Sequence, residues 1–196
     1  MRTATLHRKT AETDVRLTLD LKGGEAHIDT GLAFFDHMLL QIAKHGGFGL
    51  VVKAKGDLKV DSHHLVEDVG LTLGDALREA LGDRRGIARW GEAHVPMDET
   101  LARVVVDLSG RPYCVFQAQL PSLVLGDGFQ TEMVREFCFA FASRAQMNLH
   151  AAILYGENTH HQIEALFKGL ARALKAAVRV EGDALPSTKG TLTEQP

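Results

Sequence analysis

The chain is sparing with the residues that mark specialised proteins. It has only two cysteines, Cys114 and Cys138, one tryptophan and five prolines. Two thiols flanked by apolar residues cannot build a disulfide framework; they fit buried, reduced side chains, so a cytoplasmic setting is expected. No stretch of about 18 apolar residues is present, which excludes a transmembrane helix. The opening "MRTATLHRKTAETDVRL" lacks the apolar core of a signal peptide. A formal net charge of −3 gives no basis for nucleic-acid or membrane partners. The remainder is ordinary: 196 residues, 45% hydrophobic and 24% charged, enough for one good core or two small halves sharing one.

What the chain does have is histidine, ten of them, and a phrase that occurs twice. "DSHHLVEDVGLTLGDALREAL" and "ENTHHQIEALFKGLARALKAA" each open on a capping-type residue, continue with His-His, place a glutamate four positions after the first histidine and run on as an apolar helix. The surroundings repeat as well. "DVRLTLDL" and "AHID" read as strands, "GLAFFDHMLLQIAKHGG" as a helix ended by Gly46-Gly47, and "GLVVKAKGDLKV" as strand ahead of a long helix from Ser62. The second half follows suit. "ARWGEAHVPM", "LARVVVDL" and "PYCVFQAQL" read as strands, "TEMVREFCFAFASRAQM" as a helix, "NLHAAILYGE" as a strand, and a long helix starts near Thr159. No Pro- or Ser-rich linker intervenes. The expected fold is therefore α+β, with two duplicated halves at 1–90 and 91–185, each a small, mostly antiparallel sheet backed by helices. The halves pack as one body, followed by an irregular tail at 186–196.

Helical geometry assigns the repeated phrase a chemistry. Residues i and i+4 share one face about 6 Å apart, so His63 with Glu67, and His160 with Glu164, can each offer one nitrogen and one oxygen to a cation. His64 and His161 point about 100° away and are free to serve a different ion. Two such helices exchanging imidazoles across a pseudo-twofold axis give two sites, His63/Glu67/His161 and His160/Glu164/His64. His37 and its counterpart Glu136, each on the preceding helix of its half, complete them within the chain or across an interface. With nitrogen and oxygen donors and no thiolate, manganese, iron, zinc and cobalt all qualify. His7, His27 and His94 lie in strand-like polar contexts and read as structural; His150 stays outside the ligand set.

With "FFDHML", "DSHHLVEDVGLTLGDAL", "GRP", "NTHHQIEALFKGLARAL" and "LPSTKG" in this order, the chain resembles the imidazoleglycerol-phosphate dehydratase family over nearly its whole length. The resemblance implies a fold of the ribosomal-protein-S5-domain-2 type, a homo-oligomeric shell of twenty-four subunits, and active sites at subunit interfaces holding two Mn2+ ions. It implies one ion on His37, His64, His160 and Glu164, and the other on His63, Glu67, His161 and residue 136. There this chain has Glu136, between Arg135 and Phe137, where the family commonly has histidine; a carboxylate still ligates manganese and favours it over zinc. Glu12 matches the family's acid/base glutamate. Gln41, His45, Arg89, Arg111, Lys168 and the tail residues Ser187, Thr188 and Lys189 match its substrate-binding set.

The reaction so implied is dehydration of imidazole glycerol phosphate to imidazole acetol phosphate in histidine biosynthesis, with the ring held as imidazolate between two divalent ions and the hydroxyl expelled through a diazafulvene-like intermediate. No appended phosphatase segment is seen, so a monofunctional hydro-lyase is expected. A dinuclear hydrolase and a metal-storage shell are the rival readings. The basic residues and the Ser-Thr-Lys tail, which a storage protein does not need, weigh against the second.

Overall fold

The computed structural model describes residues 2–192. In chain order the first half comprises β1 (Thr3–Lys9), β2 (Thr13–Asp20), β3 (Ala26–Asp29), α1 (Ala33–Gly46), β4 (Gly49–Gly56) and α2 (His63–Leu81). The second comprises β5 (Trp90–Met97), β6 (Thr100–Asp107), β7 (Tyr113–Gln117), the short strands β8 (Val124–Leu125) and β9 (Phe129–Gln130), α3 (Met133–Ala145), β10 (Asn148–Tyr155) and α4 (Thr159–Ala177). The two large sheets have the same strand order, β1-β2-β4-β3 and β5-β6-β10-β7. In each, three strands are antiparallel and the edge strand, β3 or β7, joins in parallel. The duplication read in the sequence is thus present strand for strand, with β8–β9 as an addition to the second half.

Period-two patterning decides which face of each sheet is buried. Val15, Leu17 and Leu19 of β2, Leu50, Val52 and Ala54 of β4, and Ala102, Val104 and Val106 of β6 all turn inward. Against these faces lie the helices: α2 over β1 and β2, α4 over β5 and β6, with α1 and α3 beside the parallel edges. The helices then cross between halves, α1 packing on α4 and α2 on α3. One continuous core, from Phe35 and Met38 of α1 to Phe137 of α3 and Phe167 of α4, joins the two copies.

The α2–α3 contact is close because α2 carries glycine there. A Cβ on Gly74 would stand 2.7 Å from the Phe141 carbonyl oxygen and 2.9 Å from the Ala145 nitrogen. Gly70 faces Phe137 and Ala140 in the same way, at 3.1–3.3 Å from the nearest atoms. The order of these contacts shows that α2 and α3 run in the same direction.

Two elements differ from the sequence expectation. β1, in the polar N-terminal stretch, is a regular strand paired from Thr3↔Asp20 to Lys9↔Asp14. Its inward side is carried by Ala4 with the part-buried Leu6 and Arg8, too little apolar surface to stand out. The β8–β9 pair is also new. It brings Phe129, fully buried, against Phe34 and Phe35 at centroid distances of 5.3 and 5.7 Å, and so seats the start of α1. Both cysteines are free, Cys138 buried and Cys114 partly so. Among the described residues no helix is long and apolar enough to cross a membrane. The tail is irregular as far as Leu192; the rest of it, 193–196, lies outside the described residues.

Candidate metal and substrate site

Each double histidine sits at a helix start because a side chain just upstream caps the free amides. The Asn158 side-chain oxygen accepts from the backbone N–H groups of His160 and His161, at 2.9 and 3.3 Å. In the first half the same task falls to Asp61, whose carboxylate accepts from the His63 N–H at 2.8 Å. Ser62 instead donates its hydroxyl to the Gln130 side chain at 2.7 Å.

The i, i+4 pairing in α4 is formed. His160 Nε2 lies 2.9 Å from Glu164 Oε2, and His37 Nε2, from the α1 helix packed alongside, lies 3.2 Å from the same oxygen. The donor atoms of His37, His160 and Glu164 all fall within 4.8 Å of one another. Phe34, one turn before His37, sets its ring edge against His160 at 5.2 Å and 79°. Glu164 is 6% exposed. Burial by itself would raise its pKa, but hydrogen bonds from Lys168, His160 and His37 overcome this and hold it down at about 2. A buried, anionic oxygen facing two imidazole nitrogens is a donor set that fits a divalent cation. One member of the sequence-derived set, His64, is not part of this cluster.

His64 stands instead with Asp57 and Glu12, where β4 ends and β1 turns into β2. Its Nδ1 is 3.0 Å from Asp57 Oδ2 and 3.8 Å from Glu12 Oε2, and these three residues form the only other compact donor group among the described residues. The hydrogen bond to Asp57, opposed by desolvation and helped by the Glu12 charge, raises the His64 pKa. His161 has a similar arrangement: its Nδ1 is 2.8 Å from Glu99 Oε2 and its Nε2 is 3.8 Å from Asp98. Glu99, between the strands "ARWGEAHVPM" and "LARVVVDL", is not among the residues singled out from the sequence.

The second expected set, His63, Glu67, His161 and Glu136, is not gathered into a compact group in the single chain. The parallel α2–α3 register places the His63–Glu67 turn beside the first turn of α3, where Glu136 stands, as His37 stands beside His160 and Glu164 in the other pair. The Glu136 carboxylate is drawn aside by Arg135 at 3.2 Å. Arg135 in turn stacks over Phe139 at 4.5 Å.

The expected substrate residues divide into engaged and free. Gln41 and His45 extend along α1 from His37, with His45 Nε2 3.0 Å from Gln41 Oε1 and Gln41 Nε2 3.3 Å from the His37 ring. Desolvation, then the nearby positive charges of Lys168 and Arg172, lower the His45 pKa. Lys168 donates to Glu164 Oε1 at 2.7 Å, so its ammonium group borders the His37–His160–Glu164 cluster. Arg89 forms a fork to Asp107, at 2.7 and 3.1 Å, and donates to the Pro186 carbonyl at 2.7 Å; it therefore ties down the start of the tail. Arg111 is exposed at its turn. In the tail, Ser187 Oγ donates to the Thr191 carbonyl and accepts from the Lys189 N–H, at 3.0 and 3.2 Å, while Thr188 and Lys189 are exposed.

Comparison with known proteins agrees with this architecture. The sequence profile described as imidazoleglycerol-phosphate dehydratase matches residues 30–174. A protein of that name from Limosilactobacillus fermentum is 58% identical over 196 residues, covering 98% of this chain and 100% of the relative. Another, from Methylorubrum extorquens, is 53% identical over 98% of this chain and 100% of the relative. The crystal structure of the Staphylococcus aureus enzyme superposes with a TM-score of 0.82 at 39% identity, covering 91% of this chain and 99% of that one. That of the Pyrococcus furiosus enzyme in complex with (S)-C348 gives 0.83 at 38% identity, covering 95% and 100%. Fold and matched length together define a dehydratase, a hydro-lyase built on two duplicated α+β halves. The chain belongs to the imidazoleglycerol-phosphate dehydratase family.

Proposed function

We propose that the protein dehydrates imidazole glycerol phosphate to imidazole acetol phosphate in histidine biosynthesis, using two Mn2+ ions at sites completed between subunits. The observation that carries the metal part is the His37–His160–Glu164 cluster, a buried carboxylate shared by two imidazoles from different halves. His64 and His161 face away from their own helix partners, as residues that reach a neighbouring copy would. Bound cations would supply the positive charge that makes an anionic imidazole ring accessible near neutral pH.

The chain's own residues supply the rest. Glu12, exposed on the β1–β2 turn and 3.8 Å from His64, is placed at the edge of the His64 group with a carboxylate free to carry a proton. Gln41 and His45 line the approach to the cluster from α1. Lys168, Arg111, Arg89 and the Ser187-Thr188-Lys189 segment provide cationic and hydroxyl donors for the phosphate. In this reading the protein is a cytoplasmic homo-oligomer whose partner is a small phosphorylated imidazole.

The test is the product formed from imidazole glycerol phosphate with and without manganese. The expected product keeps its phosphate and appears only with metal. Release of inorganic phosphate would show a hydrolase, and metal binding without any turnover would leave a storage protein.

A further inference from the structure

The two halves superpose at a position that the repeated histidine phrase does not reveal. Asp20 pairs with the first residue of β1 and Asp107 with the first residue of β5. Counting back along β2 and β6 from these aspartates, buried Thr13 matches buried Thr100, and Glu12 matches Glu99. Each glutamate faces Nδ1 of the second histidine of its own half, but at different range: 3.8 Å from Glu12 to His64, 2.8 Å from Glu99 to His161.

The difference has a structural cause. Glu99 is fixed at its second oxygen, which accepts from the backbone N–H groups of Glu157 and Asn158 at 3.1 and 2.8 Å and from the Thr100 hydroxyl at 2.9 Å. With Oε1 held there, Oε2 is presented to His161. In the first half the connection from β4 to α2 is longer, and Asp57, its first residue, takes His64 Nδ1 at 3.0 Å. Glu12 is left at the rim, its side chain 53% exposed against 38% for Glu99.

We infer that Glu99 and Asp57 are positioning residues, the carboxylates that accept Nδ1–H of His161 and His64, and that Asp57, by replacing Glu12 in this task, releases Glu12 for proton transfer. An imidazole that donates through Nδ1 is the tautomer whose Nε2 carries the free lone pair, so each carboxylate leaves Nε2 of its histidine as a metal donor. This rests on the metal-binding reading above. Removing an outer partner of a ligating histidine typically costs about 10–100-fold in metal affinity.

The test is Mn2+ titration, read by loss of the free-ion electron-spin-resonance signal, on the assembled wild-type protein and on Glu99→Ala, Glu99→Gln, Asp57→Ala and Asp57→Asn. Each alanine variant should bind Mn2+ about 10–100-fold more weakly. Asp57→Asn keeps an acceptor oxygen for Nδ1–H and should recover most of that loss, a rescue that a purely structural role does not predict. Glu99→Gln, whose single oxygen is claimed by the Glu157 and Asn158 N–H groups, should stay as weak as alanine. Circular dichroism and oligomer size, measured on the same metal-free samples, establish that each variant is folded. Wild-type affinity in folded Glu99→Ala and Asp57→Ala, or Asp57→Asn as weak as alanine, would overturn the assignment while leaving the proposed activity standing. A wild-type protein that binds no Mn2+ would sink the metal reading and this inference with it.

Discussion

Asp68 joins the β1–β2 turn to the helix that carries the first double histidine. One of its oxygens lies 2.7 Å from Arg8 Nε, and the other accepts the Thr13 hydroxyl. Asp68 is 7% exposed and follows Glu67 directly on α2, so this bond fixes the segment containing Glu12 relative to His63 and His64. Asp68→Ala leaves the Thr13 hydroxyl and the Arg8 charge without their acceptor. Arg8 is 39% exposed and water replaces part of its loss, so the expected destabilisation is about 1–3 kcal/mol, read from the urea midpoint. Because the turn loosens, kcat should fall in the folded variant as well.

Glu12→Gln separates chemistry from metal binding. The amide is nearly isosteric but cannot exchange a proton at neutral pH. Turnover should disappear while Mn2+ content, measured by elemental analysis, stays at the wild-type level. An active Glu12→Gln enzyme would remove this residue from the mechanism.

How far the sequence foretold these relationships depends on the range of each interaction. His160 with Glu164 is a one-turn relationship on a single helix, and the spacing alone announces it. The pairing of His37 with that cluster depends on how α1 crosses onto α4; the family resemblance implies it, and helical spacing alone does not. Glu99 was missed because its partners, His161 and the amides of Glu157 and Asn158, are distant in sequence. The legible signal was Glu-Thr at the start of the second strand in both halves, Glu12-Thr13 and Glu99-Thr100. β1 was passed over because a strand on the sheet edge needs few apolar side chains; β8 and β9 are too short to show a period.

Arg84 is a buried cation whose work is structural. It is 1% exposed, and its guanidinium donates to the carbonyls of Ala145 and Gln146 at 2.8 Å each, closing the C-terminal end of α3. Desolvation lowers its pKa to about 10, so it remains protonated at neutral pH. Arg84→Ala strips two helix-end carbonyls of their donor and leaves a void. A loss of about 2–4 kcal/mol is expected in chemical denaturation, with Mn2+ affinity little changed if the protein is folded.

The two thiols give a pH-dependent reading of packing. Burial pushes Cys114 up to about 11 and moves Cys138 further in the same direction. At pH 8 the thiolate fraction of Cys114 is then about one in a thousand, and disulfide reagents should modify the native protein far more slowly than the urea-unfolded chain. The rate at Cys114 should rise roughly tenfold per pH unit until its raised pKa is reached. A raised acid pKa favours folding fully below the ordinary thiol range and progressively less as pH climbs from there through the raised values. Alkaline conditions should therefore lower the unfolding midpoint. Fast, equal labelling of both cysteines in the native protein at pH 8 would contradict this packing.

The tail and Arg89 make the last pair. Arg89 holds Asp107 through two bonds and the Pro186 carbonyl through a third, so it anchors the point from which Ser187, Thr188 and Lys189 extend. A phosphate bound by these residues would need them ordered, and the ordering entropy of a free segment opposes binding. Deleting 186–196 should therefore raise KM strongly. Arg89→Lys, which keeps the charge but cannot reproduce the planar fork, should raise KM in the same direction by a smaller factor, because the anchor at Pro186 weakens while the tail donors remain. Steady-state kinetics over a substrate series checks both. An unchanged KM after deletion would take the tail out of the binding site, and would leave Arg89 the role of fastening β6 to the segment that follows α4.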